Sequence, residues 1–317
     1  MATFKICLFG QFRVQRNEQI LDGFDARKVQ ELFCYLLLYR DRPFPRETLA
    51  SLLWSDSTTA QSKKNLRQVL WQLQSALKSS NESVNCRALL VEPDRVQLDS
   101  RTGLFWLDVG VLEQAFDLVQ RRAGREMGLE QARVLQNAVQ LYQGPLLEGW
   151  YQDWCLYERE RFQGMYLTLL AKLMGYCDAQ HDYETAILYG MRSMCYDRAR
   201  ECTHRMLMRL HYLNGDRASA LRQYAQCMMA LKEELNASPS KSTVTLYEQI
   251  LADQLVEDEP ASIPRGVVAS REGAGVLLPE VLGRLERLQA ALSDLQTQVE
   301  QSIQTLKEAL PDISFPR

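Results

Sequence analysis

Leu66, Leu70, Leu73 and Leu77 recur four, three and four residues apart, and this seam constrains the fold more than any other feature of the 317-residue chain. Such spacing places all four side chains on one face of a helix. The other face carries Lys64, Arg67, Gln68, Trp71, Gln72 and Ser75. Just upstream, RETLASLLW makes a shorter amphipathic pattern striped by Leu49, Leu52 and Leu53, and the polar stretch SDSTTAQS separates the two. Two helices around a turn, the second with Lys, Arg and Gln opposite a leucine seam, is what a helix-turn-helix offers to a DNA major groove. A solvated helix in a bundle fits the same pattern. The rest of the chain has to choose between them.

Its flanks favour the first reading. FKICLFGQFRVQRNEQIL alternates, with Gly10 and Asn17 as turn signals, and predicts two or three short antiparallel strands. Asp25 is the candidate cap of a helix over 26–39, whose Val29, Leu32, Phe33, Leu36 and Leu37 fall at helical spacing. Pro43 and Pro45 close that segment and lead into a helix from Arg46. The third helix is expected over 63–78, followed by a hairpin in ALLVEPDRVQLD around a Pro-Asp turn. Strands, three helices and a hairpin make a winged helix. Residues 1–101 hold 15 Lys and Arg against 11 Asp and Glu, while the rest holds 22 against 29. A basic first third on an acidic body fits one nucleic-acid-binding module carried by something else.

From Trp106 to about Leu255 the pattern is helical. DYETAI at 182–187 and DRASAL at 216–221 stand thirty-four residues apart, so that Ala186 matches Ala220 and Leu173 matches Leu207. Thirty-four residues is the tetratricopeptide period, in which a small residue lets paired helices approach closely. Chemistry is not invited here. Cys177 with His181, or Cys202 with His204 and His211, match no closed metal-ligand spacing. No nucleophile motif accompanies the three histidines, and no GxxxxGK[ST] occurs. No cofactor, metal or enzymatic activity is therefore expected. The eight scattered cysteines, without a CxxC pair, read as reduced core residues. No signal peptide or spanning run is present, so a cytoplasmic protein with no membrane partner is expected.

VEDEPASIPRGVVASREGAG has linker composition, and residues 256–277 are assigned to it. Beyond it, Leu278, Leu285, Leu292, Val299 and Leu306 recur every seven residues, with Val281, Leu288 and Leu295 in the second slot before Ser302 and Ala309 weaken it. This is a coiled-coil seam over 278–311, with a parallel homodimer as default. An amphipathic helix folding back on the chain is the alternative.

Five blocks carry a family resemblance. LFGQFRV, ARKVQELFCYLLL, PRETLASLLW, NLRQVLWQL and the following hairpin resemble the amino-terminal half of the Streptomyces antibiotic regulatory protein family. LYQGPLLEGWYQDWCLYERERF and ELNASPSKSTVTLYEQI resemble the bacterial transcriptional activator domain that follows it in that family. The resemblance implies a mainly α chain. Residues 1–100 would be a winged helix-turn-helix of the response-regulator type, with a small sheet and a wing, and 101–255 a tetratricopeptide-like all-α domain. It implies an activator that reads direct repeats in double-stranded DNA and recruits RNA polymerase. Carried over residue by residue, it places Lys63, Lys64, Asn65, Arg67, Gln68, Trp71 and Gln72 at the major groove, where Lys and Arg suit phosphate and guanine and Asn and Gln suit adenine. Trp71 would press on a thymine methyl or a sugar, or else cover the seam between helix and wing. Arg46 and Arg95 would meet phosphate or minor groove, and Arg27 and Lys28 further phosphates, unless Arg27 and Arg95 are solvated surface charges.

One position departs from the family, whose reader helix usually ends Leu-Arg where this chain has Leu73-Gln74. Losing a basic side chain lowers affinity and flattens its salt dependence, so a dimer or partner is expected to compensate. The rival reading is a tetratricopeptide adaptor or signalling protein whose winged helix docks protein rather than DNA.

Overall fold

In the computed structural model, which describes residues 4–16, 19–21, 23–77, 89–99 and 103–255, the amino-terminal alternation becomes β1 (Phe4–Cys7), β2 (Arg13–Arg16) and β3 (Gln19–Ile20). Phe4 and Ile6 are buried and Lys5 exposed, the period-two burial of a strand with one covered face. Neighbouring strands pair antiparallel. The fourth member comes from far away. β7 (Phe105–Leu107) runs parallel to β1, Phe4 beside Phe105 and Ile6 beside Leu107, in the order β3-β2-β1-β7. Trp106, expected to open the helical region, therefore sits in a strand, and α4 (Asp108–Val119) begins directly after it.

Three helices follow the first strands. In α1 (Arg27–Leu38) the expected stripe Val29, Leu32, Phe33, Leu36 and Leu37 is buried. Its cap is Ala26 and makes no side-chain bond, so Asp25 does not cap it. β4 (Phe44–Pro45) leads into α2 (Arg46–Leu53), where Leu49, Ala50 and Leu53 are buried. Leu52 is exposed, contrary to the expected stripe: an eight-residue helix buries only one narrow face. The third helix, α3 (Thr59–Leu77), starts four residues earlier than its leucine pattern suggests. Its first turn lacks a large apolar side chain, and the buried Ser62 turns its hydroxyl back to the Thr59 carbonyl at 3.1 Å. Leu66, Leu70, Leu73 and Leu77 are all buried. β5 (Leu89–Val91) and β6 (Arg95–Leu98) then form the expected hairpin, and β6 also pairs with β4, Phe44 facing Val96.

The second half is helical: α5 (Leu129–Leu141), α6 (Asp153–Ala179), α7 (Tyr183–Met194), α8 (Glu201–Leu213), α9 (Arg217–Leu235) and α10 (Lys241–Leu251) follow α4. The thirty-four-residue correspondence recurs in the contacts. Asp182 accepts a hydrogen bond from the Thr185 amide at 3.2 Å to cap α7, and Asp216 accepts one from the Ser219 amide at 2.9 Å to cap α9. Ala186 and Ala220 are fully buried, as are Leu173 and Leu207. A Cβ on Gly190 of α7 would lie 2.5 Å from Leu207 Cδ2, so glycine is what lets α7 settle against α8.

One core runs through both halves. Phe9 packs against Tyr142 and Phe162, at ring separations of 4.7 and 5.7 Å, and Tyr35 packs against Trp154. The segment after Gly144-Pro145 runs back along the end of β1: the Leu147 amide donates to the Leu8 carbonyl at 2.8 Å and the Gly10 amide to the Pro145 carbonyl at 2.9 Å. A chain of ion pairs, Arg40 to Glu113 to Arg161 to Glu158, ties the segment after α1 to α4 and α6. Met1–Glu257 accordingly form one compact unit. Cys34, Cys155, Cys177 and Cys227 are buried as expected, whereas Cys195 and Cys202 are exposed. Among the described residues no helix is long and apolar enough to cross a membrane. The linker and heptad assignments lie outside the described residues.

Candidate nucleic-acid interface

The outer face of α3 is built by its buried one. With Leu66, Val69, Leu70 and Leu73 locked against the core, the helical period turns Lys63, Lys64, Arg67, Gln68 and Trp71 to solvent, with Asn65 and Gln72 half-buried at the margins. Trp71 is 67% exposed, so it does not cover a seam between helix and hairpin. An indole this open is a ready stacking or methyl-contacting surface. The Asn65 carbonyl oxygen is held by the Gln61 amide at 2.8 Å, and Arg67 Nε returns to the Lys63 carbonyl at 3.3 Å. Both contacts order α3's outer face.

Beside that face lies a cleft of about 840 Å³. One wall is α3, through Lys63, Leu66 and Arg67; another is the start of α2, through Arg46 and Glu47; the third is the hairpin turn, through Pro93, Asp94 and Arg95. Pro43, Pro45 and Pro93 stiffen its rim, since each fixes its own φ. The walls are joined by backbone: the Arg46 amide donates to the Asp94 carbonyl at 2.9 Å, and Arg46 Nη1 to the Glu92 carbonyl at 3.2 Å.

Five of the expected cations are thus assembled at one place: Arg46, Lys63 and Arg67 in the cleft with Arg95, and Lys64 on the same exposed face of α3. Arg27 and Lys28 are placed elsewhere. They begin α1 and hold the buried Glu31, Arg27 at 3.4 Å and Lys28 at 2.7 Å. The Arg27 guanidinium also lies 4.0 Å from the Trp150 ring centre, and Gln152 donates to Glu31 at 2.9 Å, so this cluster joins α1 to the helical half.

Carboxylates that hold the cleft's cations escaped the sequence reading. Glu47 pairs with Lys63 at 2.6 Å, and Glu92 with Arg95 at 2.5 Å. The hydrogen bond from Lys63 holds the Glu47 carboxyl below its ordinary range, and the bond to Glu92 raises Arg95 further. Glu47 stands next to Arg46 in sequence, but its partner is sixteen residues on, across the turn between α2 and α3. No local period reports that pairing.

The helical half matches a known domain. Residues 107–251 match the model of the bacterial transcriptional activator domain. The chain carries that match over somewhat less than half of its length. It is a transcriptional regulator. Its relatives include the transcriptional regulatory protein MoaR1 of Mycobacterium bovis (strain BCG / Pasteur 1173P2), 25% identical over 265 residues, which are 80% of this chain and 81% of the relative. MoaR1 of Mycobacterium tuberculosis (strain ATCC 25618 / H37Rv) is 25% identical over 268 residues, again 80% and 81% of the two chains. In fold the regulator resembles Mycobacterium tuberculosis EmbR, solved in complex with a low-affinity phosphopeptide. The TM-score is 0.62 at 18% identity, covering 81% of this chain and 67% of that one.

Proposed function

We propose that this regulator is an activator that binds double-stranded DNA sequence-specifically, with residues 1–100 as a winged helix, α3 in the major groove and the β5–β6 hairpin as wing. The observation that carries this reading is the position of four cations, Arg46, Lys63, Arg67 and Arg95, around one prolyl-walled cleft, with Lys64 and an exposed Trp71 on the adjoining face of α3. In the mechanism, Lys and Arg at the cleft position the chain on the phosphates, and Gln68, Trp71, Gln72 and Asn65 read base edges. Arg27 and Lys28 stand apart, so any phosphate they meet is a flanking one.

Two chains would sit on a direct repeat, held together through the heptads from Leu278 to Leu306, while residues 101–255 offer their surface to RNA polymerase. A second tethered winged helix acts at high effective concentration once the first is bound. This offsets a sparse basic face that includes Gln74 where the family has arginine. The test is the double substitution Lys64→Ala with Arg67→Ala. It should abolish binding to the promoter DNA the chain occupies while leaving its melting temperature unchanged. Intact DNA binding in that variant would favour a protein-docking role for this face.

A further inference from the structure

Two of the cations that line the cleft, Lys63 and Arg95, are each held by a carboxylate. Glu47, in the first turn of α2, reaches across to Lys63 of α3 at 2.6 Å; on the opposite wall Glu92 holds Arg95 at 2.5 Å, while its carbonyl takes Arg46. The Glu47 and Lys63 side chains are 75% and 44% exposed, so this pair is bathed in water and cheap to exchange. A carboxylate and a phosphate offer the same thing to an ammonium or a guanidinium, namely oxygens that accept charge-assisted bonds.

We propose that Glu47 and Glu92 are resident counter-ions that occupy the phosphate positions of the cleft, and that an entering phosphodiester strand displaces them. The inference rests on the reading of the cleft as a DNA surface and says how that surface is regulated. The two carboxylates keep Lys63 and Arg95 extended toward the cleft, which spares ordering them on binding. They also oppose the field of the four cations that line it. Sequence-independent attraction to any duplex is thereby held down, and base contacts from α3 are left to discriminate. Glu47 and Glu92 are positioning residues, acting through Lys63 and Arg95 and touching no base.

The experiment is fluorescence anisotropy of the full chain on a labelled duplex of mixed sequence, in a salt series from about 50 to 200 mM. Glu47→Gln and Glu92→Gln should each tighten binding about two- to fivefold at the low-salt end and less at the high-salt end. Lys63→Ala alone should weaken binding and lower the salt slope by about one. In the Lys63→Ala background, Glu47→Gln should gain distinctly less than in the wild type. Unchanged or weaker binding by Glu47→Gln, at an unaltered melting temperature, overturns the proposal. So does an equal gain with and without Lys63, which would mark a general charge effect. A wild-type chain that fails to bind at low salt overturns the reading of the cleft itself, and the counter-ion role with it.

Discussion

Asp108, the first residue of α4, accepts the backbone amide of Leu8 at 2.8 Å, joining the amino-terminal sheet to the helical half across a hundred residues of sequence. The same carboxylate takes the Phe9 amide at 2.9 Å and the Val109 amide at 2.7 Å, so the end of β1 and the start of α4 share one acceptor. β1 and β7 lie parallel immediately before it. Placement of the amino-terminal sheet relative to the helical half thus depends on a buried carboxylate.

That charge carries a pH signature. Burial pushes the Asp108 carboxyl up to about 6, against the opposing pull of the amides of Phe9, Leu8 and Val109. A carboxyl raised on folding favours the native state while protonated, below its ordinary range, and loses that contribution as pH climbs through about 6. The loss is on the order of 2–3 kcal/mol. Urea melts of the wild type and of Asp108→Asn should show the wild-type advantage greatest near pH 4, reduced at pH 5 and smallest by pH 7. A gap that widens with pH would mean that the amide bonds outweigh burial.

Phe9 should report whether the two halves unfold together. It is 2% exposed and packs on Tyr142 and Phe162. Phe9→Ala should cost about 3–5 kcal/mol and lower a single transition followed by both circular dichroism and tryptophan fluorescence. Two separated transitions would show halves that fold independently.

Trp71 separates reading from packing. Because the indole is 67% exposed, Trp71→Ala should leave stability within about 0.5 kcal/mol. Affinity for the selected DNA should nevertheless fall severalfold. A large loss of stability with unchanged affinity would return Trp71 to the seam between helix and hairpin.

Much of the candidate interface could be read from local pattern. Leu66, Leu70, Leu73 and Leu77 point inward as their spacing demands, and the Pro93-Asp94 turn makes the hairpin. Asp182 and Asp216 cap equivalent helices because a repeat writes the same signal twice. What escaped was non-local or lacked an apolar mark. β7 is three residues long and is made a strand by Phe4–Cys7 of β1, far upstream. Thr59–Ser62 hold no large apolar side chain, so nothing in them announces the first turn of α3. Glu47 and Glu92 look like ordinary surface acids until the fold sets Lys63 and Arg95 opposite them.

Removing residues 278–317 tests the tether. If the heptads pair two chains on DNA, the truncated chain should bind its operator severalfold more weakly and run as a smaller species in sedimentation. Full affinity after truncation would assign pairing to another part of the regulator.

The central claim, sequence-specific reading by α3, is tested most directly by selecting bound duplexes from a random pool with the full-length chain at physiological salt. The account predicts enrichment of a motif present in two copies, spaced one or two helical turns apart in the same orientation. A pool that emerges unenriched, or is retained only at low salt, would contradict it and leave this surface a non-specific clamp.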